Sequence, residues 1–144
     1  GYKIHACVCL VSKLIKSVLT TPACVHDSQV ISPLITDSDA GKCLYADSAY
    51  SGQKQLSEIV SLDLTPAVCE KGSRNKPLTD EQKESNRQKS KIRARVEHVF
   101  GRLAHWGADE IRTIGIKRAD AHHHLAAFFY NLMQLINLGI KIKF

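Results

Sequence analysis

Apolar residues fall into two kinds of segment along this chain. In the first half they come in short mixed runs. Tyr2 to Cys9 (YKIHACVC) and Leu14 to Leu19 (LIKSVL) are too short for stable helices. They predict an antiparallel hairpin turning over Leu10 to Lys13 and ending at Thr20-Thr21-Pro22. His26-Asp27-Ser28 predicts a helix to about Ile35, with Asp27 as N-cap. Ser38 to Gly41 reads as a loop. Lys42 to Ala46 (KCLYA) reads as a buried strand with Asp47 at its carboxyl end. Ser51-Gly52 opens a short helix through Val60, and Leu62 to Val68 is a weaker strand interrupted by Pro66.

The second half has helical spacing. After a Gly-, Pro- and Lys/Arg-rich loop from Glu70 to Leu78, Thr79-Asp80-Glu81-Gln82 forms a capping box. It predicts a long helix from Asp80 to about Ala104, stopped by Gly107. Ile92, Val96, Val99, Phe100 and Leu103 form its core stripe. Asp109 to Ile116 is expected to be extended. Ala119 to Leu138 predicts another helix, with Leu125, Phe128, Phe129, Leu132, Met133, Leu135 and Ile136 as its apolar face. Strands alternating with helices give an α/β fold, here a single domain over residues 1–144.

Charge adds a location. The net charge is +6. Lys71 to Arg95 hold nine basic and three acidic residues, and the rest of the chain holds eleven of each. A concentrated basic segment on a neutral body suits a polyanion, or else is a solvated helix face. No apolar run approaches the ~18 residues of a membrane span, and no signal peptide opens the chain. A cytoplasmic protein with no membrane partner is expected. The five cysteines (7, 9, 24, 43 and 69) lack C-x2-C spacing and read as reduced thiols rather than a zinc site. His122, His123 and His124 lie ~100° apart on a helix and cannot converge on one metal from it.

Two carboxylates stand out by position. Asp47 lies where an apolar strand meets a loop, the edge at which open α/β sheets place ligands. A turn or capping Asp is the plainer alternative. Glu97 lies at the border of the apolar stripe of the long helix, one turn after Arg93, with Lys91, Arg95 and Arg102 on the far side. An ordinary i,i+4 surface pair is the plainer alternative there.

Six blocks then occur in order: GYKIH, TTPACVHDSQ, YADSAYSG, KGSRNKPLT, NRQKSKIRARVEHVFG, and IRTIGIKRA with a later YNL. Together they resemble the bacterial insertion-sequence DDE transposases of the group numbered five, close to group four, over Gly1 to about Leu138. The resemblance implies a ribonuclease-H-like core in which two Asp and one Glu hold two Mg²⁺ or Mn²⁺ ions. It assigns the second Asp to Asp47 and the Glu to Glu97, with Arg93 as the accompanying Arg. The family's Tyr before that Arg and its Lys after the Glu are Ser90 and Ala104 here. Arg102 is the candidate to replace the Lys. The first Asp would lie on a strand upstream of Gly1, so the core is expected to be incomplete and the chain inactive alone.

Double-stranded DNA, as transposon ends and target, is the implied partner. Lys71, Arg74, Lys76, Arg87, Lys89, Lys91, Arg93, Arg95 and Arg102 are the candidate contacts. A homodimer is implied for the full-length enzyme, working at the bacterial nucleoid. A decayed remnant that binds nucleic acid without catalysis is the competing reading, and a metal nuclease of similar fold is a third. The absent strand also predicts a gap between the N-terminal hairpin and the strand ending at Asp47.

Overall fold

The computed structural model describes residues 1–140. Contacts divide the chain into two compact units: Gly1–His26 with the chain from Arg95 on, and Asp27–Ala94.

The first unit opens with the expected hairpin. Strands β1 (Tyr2–Val8) and β2 (Ile15–Pro22) pair antiparallel, with His5 opposite Leu19 and a register shift between Cys7 and Val8. Backbone bonds between Cys9 and Lys13 and between Cys9 and Leu14 close the turn, in which Lys13 takes a positive φ of 59°. The second strand outruns its predicted end at Leu19 and stops at Pro22. A proline is tolerated at that terminal place, where its missing N–H breaks little of the ladder.

The last helix, written α3 here, spans Ile116–Asn137 and packs on this hairpin. It starts after Gly115, whose φ of 109° favours glycine. Its buried face differs from expectation. Ala119, His123, Ala127 and Tyr130 are buried, whereas Leu125, Phe128, Phe129, Met133 and Ile136 are exposed. Small residues let the helix approach the strands closely, and its polar residues find partners there. Asn131 clamps Ile15: its Oδ1 accepts from the Ile15 N–H at 2.8 Å and its Nδ2 donates to the Ile15 carbonyl at 2.8 Å. Thr20 Oγ1 and His123 Nδ1 share a bond of 2.7 Å. Buried polar groups satisfied in this way cost little.

Helix α2 (Asp80–His105) matches its predicted span. Gln82 N–H donates to Thr79 Oγ1 and Thr79 N–H to Gln82 Oε1, which is the capping box. Gly107, with a φ of 75°, ends the helix, and the Ala108 N–H reaches back to the Leu103 carbonyl. Val99 and Leu103 are buried with Ile15, Ala127 and Tyr130, while Phe100 packs at the margin of that core.

The second unit is a βαβ arrangement. Strands β3 (Cys43–Ala46) and β4 (Thr65–Val68) pair parallel, with α1 (Gln53–Ser61) between them in sequence. Ile31, Ile59, Leu64 and Val68 form its core. Three expectations are corrected here and just beyond. The helix from His26 to Ile35 is replaced by two 3-10 turns, Asp27–Gln29 and Ser32–Leu34, because Pro33 removes a donor that a continuous helix needs. The fourth strand begins at Thr65 rather than Leu62. Leu62 caps α1, Asp63 turns the chain at a φ of 56°, and the Leu64 N–H returns to the Ile59 carbonyl. Asp109 to Ile116 forms no strand, since no neighbouring ladder accepts it, and the Gly115 N–H bonds Tyr2 Oη instead.

The hairpin and the β3–β4 pair are separate two-stranded sheets. Among the described residues no ladder joins the N-terminal hairpin to the strand before Asp47. Both long helices form as expected.

Candidate active site

Asp47 follows the carboxyl end of β3 and caps a 3-10 turn, Ser48–Tyr50. Its Oδ1 accepts from the Ala49 N–H at 2.9 Å, which fixes the carboxylate and leaves Oδ2 for another partner. Beyond the last ladder pair, the Cys69 N–H still bonds the Ala46 carbonyl. Both parallel strands therefore end together. A cleft of about 250 Å³, lined by Ser51, Leu56, Val68, Cys69, Glu70 and Lys71, begins there. Crevices outside the carboxyl ends of parallel strands are where α/β sheets take ligands.

Sequence reasoning missed Tyr50. Its hydroxyl donates to the Asp27 carbonyl at 3.0 Å, pinning the turn that contains Asp27 to the turn that follows Asp47. Burial pushes the Tyr50 hydroxyl up to about 12. The negative charges of Asp27 and Asp47 add to that rise, and Arg93 opposes it. Asp27, Asp47 and Arg93 thus all act electrostatically on one phenol. The signal was present in two of the quoted blocks, which contain HDS and DSAY, but nothing local pairs them.

Glu97 is exposed on α2, one helical turn after the half-buried Arg93. It belongs to the first unit and Asp47 to the second. Asp47 and Glu97 are carboxylates, the hard oxygen donors that Mg²⁺ and Mn²⁺ prefer. That donor chemistry fits such ions. No group of three or more His, Cys, Asp and Glu converges as a metal site among the described residues. In particular the three histidines diverge. His123 is buried on Thr20, His122 meets the Gly107 carbonyl, and His124 lies on Asp120.

The basic residues divide by what holds them. Backbone bonds in both directions between Ser73 and Lys76 make a tight turn with Arg74 at its tip, and Lys71, Arg74 and Lys76 are all exposed. A Cβ on Gly72 would sit 3.4 Å from the Leu78 backbone nitrogen, so the loop folds closely on itself there. Arg87, Lys91, Arg95 and Arg102 are exposed on α2. Arg87 makes only a long contact of 3.5 Å with Glu84. Lys89 is committed elsewhere: its ammonium donates to the Val68 carbonyl at 2.9 Å and ties α2 to β4. Asn86 bonds both the N–H and the carbonyl of Glu70 at the same junction.

Residues 1–132 match the family described as the transposase DDE domain. This chain is a DDE transposase family member. It is also similar to the transposase for insertion sequence element IS1106 of Neisseria meningitidis serogroup B, at 31% identity over 118 residues. That match covers 81% of this chain but 41% of the relative, so the DDE chain spans about two-fifths of its relative's length. No solved structure matches it. The family membership confirms the resemblance read from the six ordered blocks.

Proposed function

We propose that this chain is part of the ribonuclease-H-like catalytic domain of a bacterial insertion-sequence transposase. The parent enzyme would cleave and join double-stranded DNA at transposon ends and target. It would act as a homodimer in the cytoplasm, on nucleoid DNA. Asp47 and Glu97 would hold Mg²⁺ or Mn²⁺. The observation that carries this reading is the placement of Asp47. Its carboxylate is fixed by a backbone N–H at the shared carboxyl end of two parallel strands, in a chain of the DDE family.

When bound, a pair of such ions activates an oxygen nucleophile and offsets charge developing on the phosphodiester. The chain's own groups do the rest. The Ala49 N–H orients Asp47, and Tyr50 braces the Asp27 turn beside it. Lys71, Arg74 and Lys76 meet phosphates from the loop, and Arg87, Lys91, Arg95 and Arg102 meet them from the outer face of α2. Lys89 holds that helix against β4 rather than reaching outward. Arg93 keeps positive charge near Tyr50.

By the resemblance, the family's first Asp has no counterpart among these 144 residues, so the chain alone would bind metal weakly and cut nothing. Titration with Mn²⁺ should show weak binding that Asp47→Asn and Glu97→Gln each reduce, and supercoiled plasmid should stay intact. Nicking by the purified chain that disappears in Asp47→Ala would overturn the inactivity. Metal binding unaffected by either substitution would overturn the site.

A further inference from the structure

The loop between β4 and α2 is held as a preformed finger. At its root the Glu70 N–H donates to Asn86 Oδ1 at 2.8 Å, and Asn86 Nδ2 donates to the Glu70 carbonyl at 2.9 Å. Its two arms touch: a Cβ on Gly72 would lie 3.3 Å from Leu78 Cγ. At the tip, backbone bonds of 3.0 and 3.1 Å between Ser73 and Lys76 close a turn over Arg74 and Asn75. Pro77 restricts Lys76 before it to extended backbone.

Asn75 has no structural task in this turn. Asparagine commonly enters turns because it tolerates a positive φ or because its side chain bonds the backbone nearby. Among the described residues the positive φ values outside glycine belong to Lys13 and Asp63, so Asn75 does not use the first. Its side chain is exposed and makes no hydrogen bond among the described residues, so it does not use the second.

Asn86 and Asn131 show what such an amide does with a partner. Each places Oδ1 on a backbone N–H and Nδ2 on the carbonyl of the same residue. Adenine offers the matching pair at its major-groove edge, where the N6 amino group donates and N7 accepts.

We propose that Asn75 is a specificity-determining residue that reads an adenine in the major groove of duplex DNA. This rests on the transposase reading above and adds a base contact to the phosphate contacts of Lys71, Arg74 and Lys76. From Lys71 to Lys76 there are three cations and no acid, so the finger is drawn to a duplex. Phosphate contacts position a protein and base contacts specify. Asn75 is the neutral side chain at a cationic tip, so its amide is suited to the second task. The major groove admits a two-stranded ribbon, and the Ser73–Lys76 bridge makes the tip a minimal one. A loop already clamped at its root loses little freedom on docking.

Binding selection with the purified chain from a pool of randomised duplexes tests this. The bound fraction should enrich a sequence in which one adenine is preferred about tenfold or more over other bases. Asn75→Ala should abolish that preference and leave the salt dependence unchanged. Asn75→Gln, which keeps the amide fork, should retain a preference for adenine. Arg74→Ala should instead weaken all sequences alike and flatten the slope of log affinity against log salt by about one unit. Replacing the preferred adenine by its 7-deaza analogue removes the N7 acceptor. The replacement should weaken the unsubstituted chain about tenfold and leave Asn75→Ala indifferent. The urea midpoint should not move in Asn75→Ala, because the amide has no partner in the fold. An enriched sequence unaltered by Asn75→Ala overturns the proposal, as does equal binding of the two adenine duplexes by the unsubstituted chain. Binding that depends on salt but ignores sequence overturns it and leaves DNA as the partner. A chain that binds no duplex overturns both.

Discussion

Helices α2 and α3 run 26 and 22 residues, and each buries one narrow stripe. Their outer faces have opposite chemistry. The exposed side of α2 carries Arg87, Lys91, Arg95 and Arg102. The exposed side of α3 carries leucine and phenylalanine and no charge beyond Ala121. Both helices are anchored by specific residues rather than by their most abundant type. Val99 and Leu103 anchor the basic helix, and Ala127, Tyr130 and the Asn131 amide anchor the apolar one. Abundance along a helix therefore marks what faces outward here, and the few exceptions mark what faces the core.

The sharpest way to break this comparison is to truncate both kinds of apolar residue. Leu103→Ala removes a side chain 2% exposed and should cost about 2–5 kcal/mol of unfolding free energy. Phe128→Ala, 60% exposed, should stay within about 0.5 kcal/mol. Equal losses in urea unfolding would mean that the outer face of α3 is in fact core.

Next in size is Asn131→Ala. It strands the N–H and carbonyl of Ile15 and should cost about 1–3 kcal/mol by the same measurement, out of proportion to the small volume removed.

The basic face answers to salt. Replacing Arg87, Lys91 and Arg95 together by Ala should flatten the slope of log affinity against log salt for duplex DNA by about two to three units. An unchanged slope would make that face merely solvated.

The smallest effect is expected from pH. Burial lowers the pKa of His123 below its ordinary 6.5; His122 and His124 push the same way, and Asp120 and the Ala108 backbone oppose it. The unfolded chain then takes up a proton before the folded one. This contribution to stability is complete above about pH 6.5 and is lost as pH falls below that toward the folded value. His123→Gln should flatten the fall in urea midpoint over that window. An unaltered pH dependence would assign the acid loss to other groups.

What could be read in the sequence was what is decided locally. The hairpin, the strand before Asp47, the Thr79 capping box and the glycine stop at 107 are written in residues a few positions apart. That the hairpin and β3 share no ladder was expected from the family resemblance instead. The misses are non-local or depend on a single atom. Pro33 broke a helix that the surrounding pattern supported. The buried face of α3 was misjudged because the size of Phe128 and Phe129 outweighed, on paper, the partners that Asn131 and His123 find more than a hundred residues away. Asp47 was legible from its strand. Its link through Tyr50 to Asp27 was not, because the turn pairing exists only once the unit has folded.

The first unit is built from segments that flank the second in sequence, with Ile15 waiting for Asn131 across 116 positions. During synthesis at 5–20 residues per second, the hairpin leaves the ribosome roughly ten seconds before the helix that clamps it. Over that interval the Asp27–Ala94 segment emerges with its contacts in hand, while β1 and β2 still lack α3. Two strands alone are marginal in water. Within these residues Asp27–Ala94 is therefore complete before the hairpin meets α3. The nascent hairpin is the segment that a holding chaperone would meet.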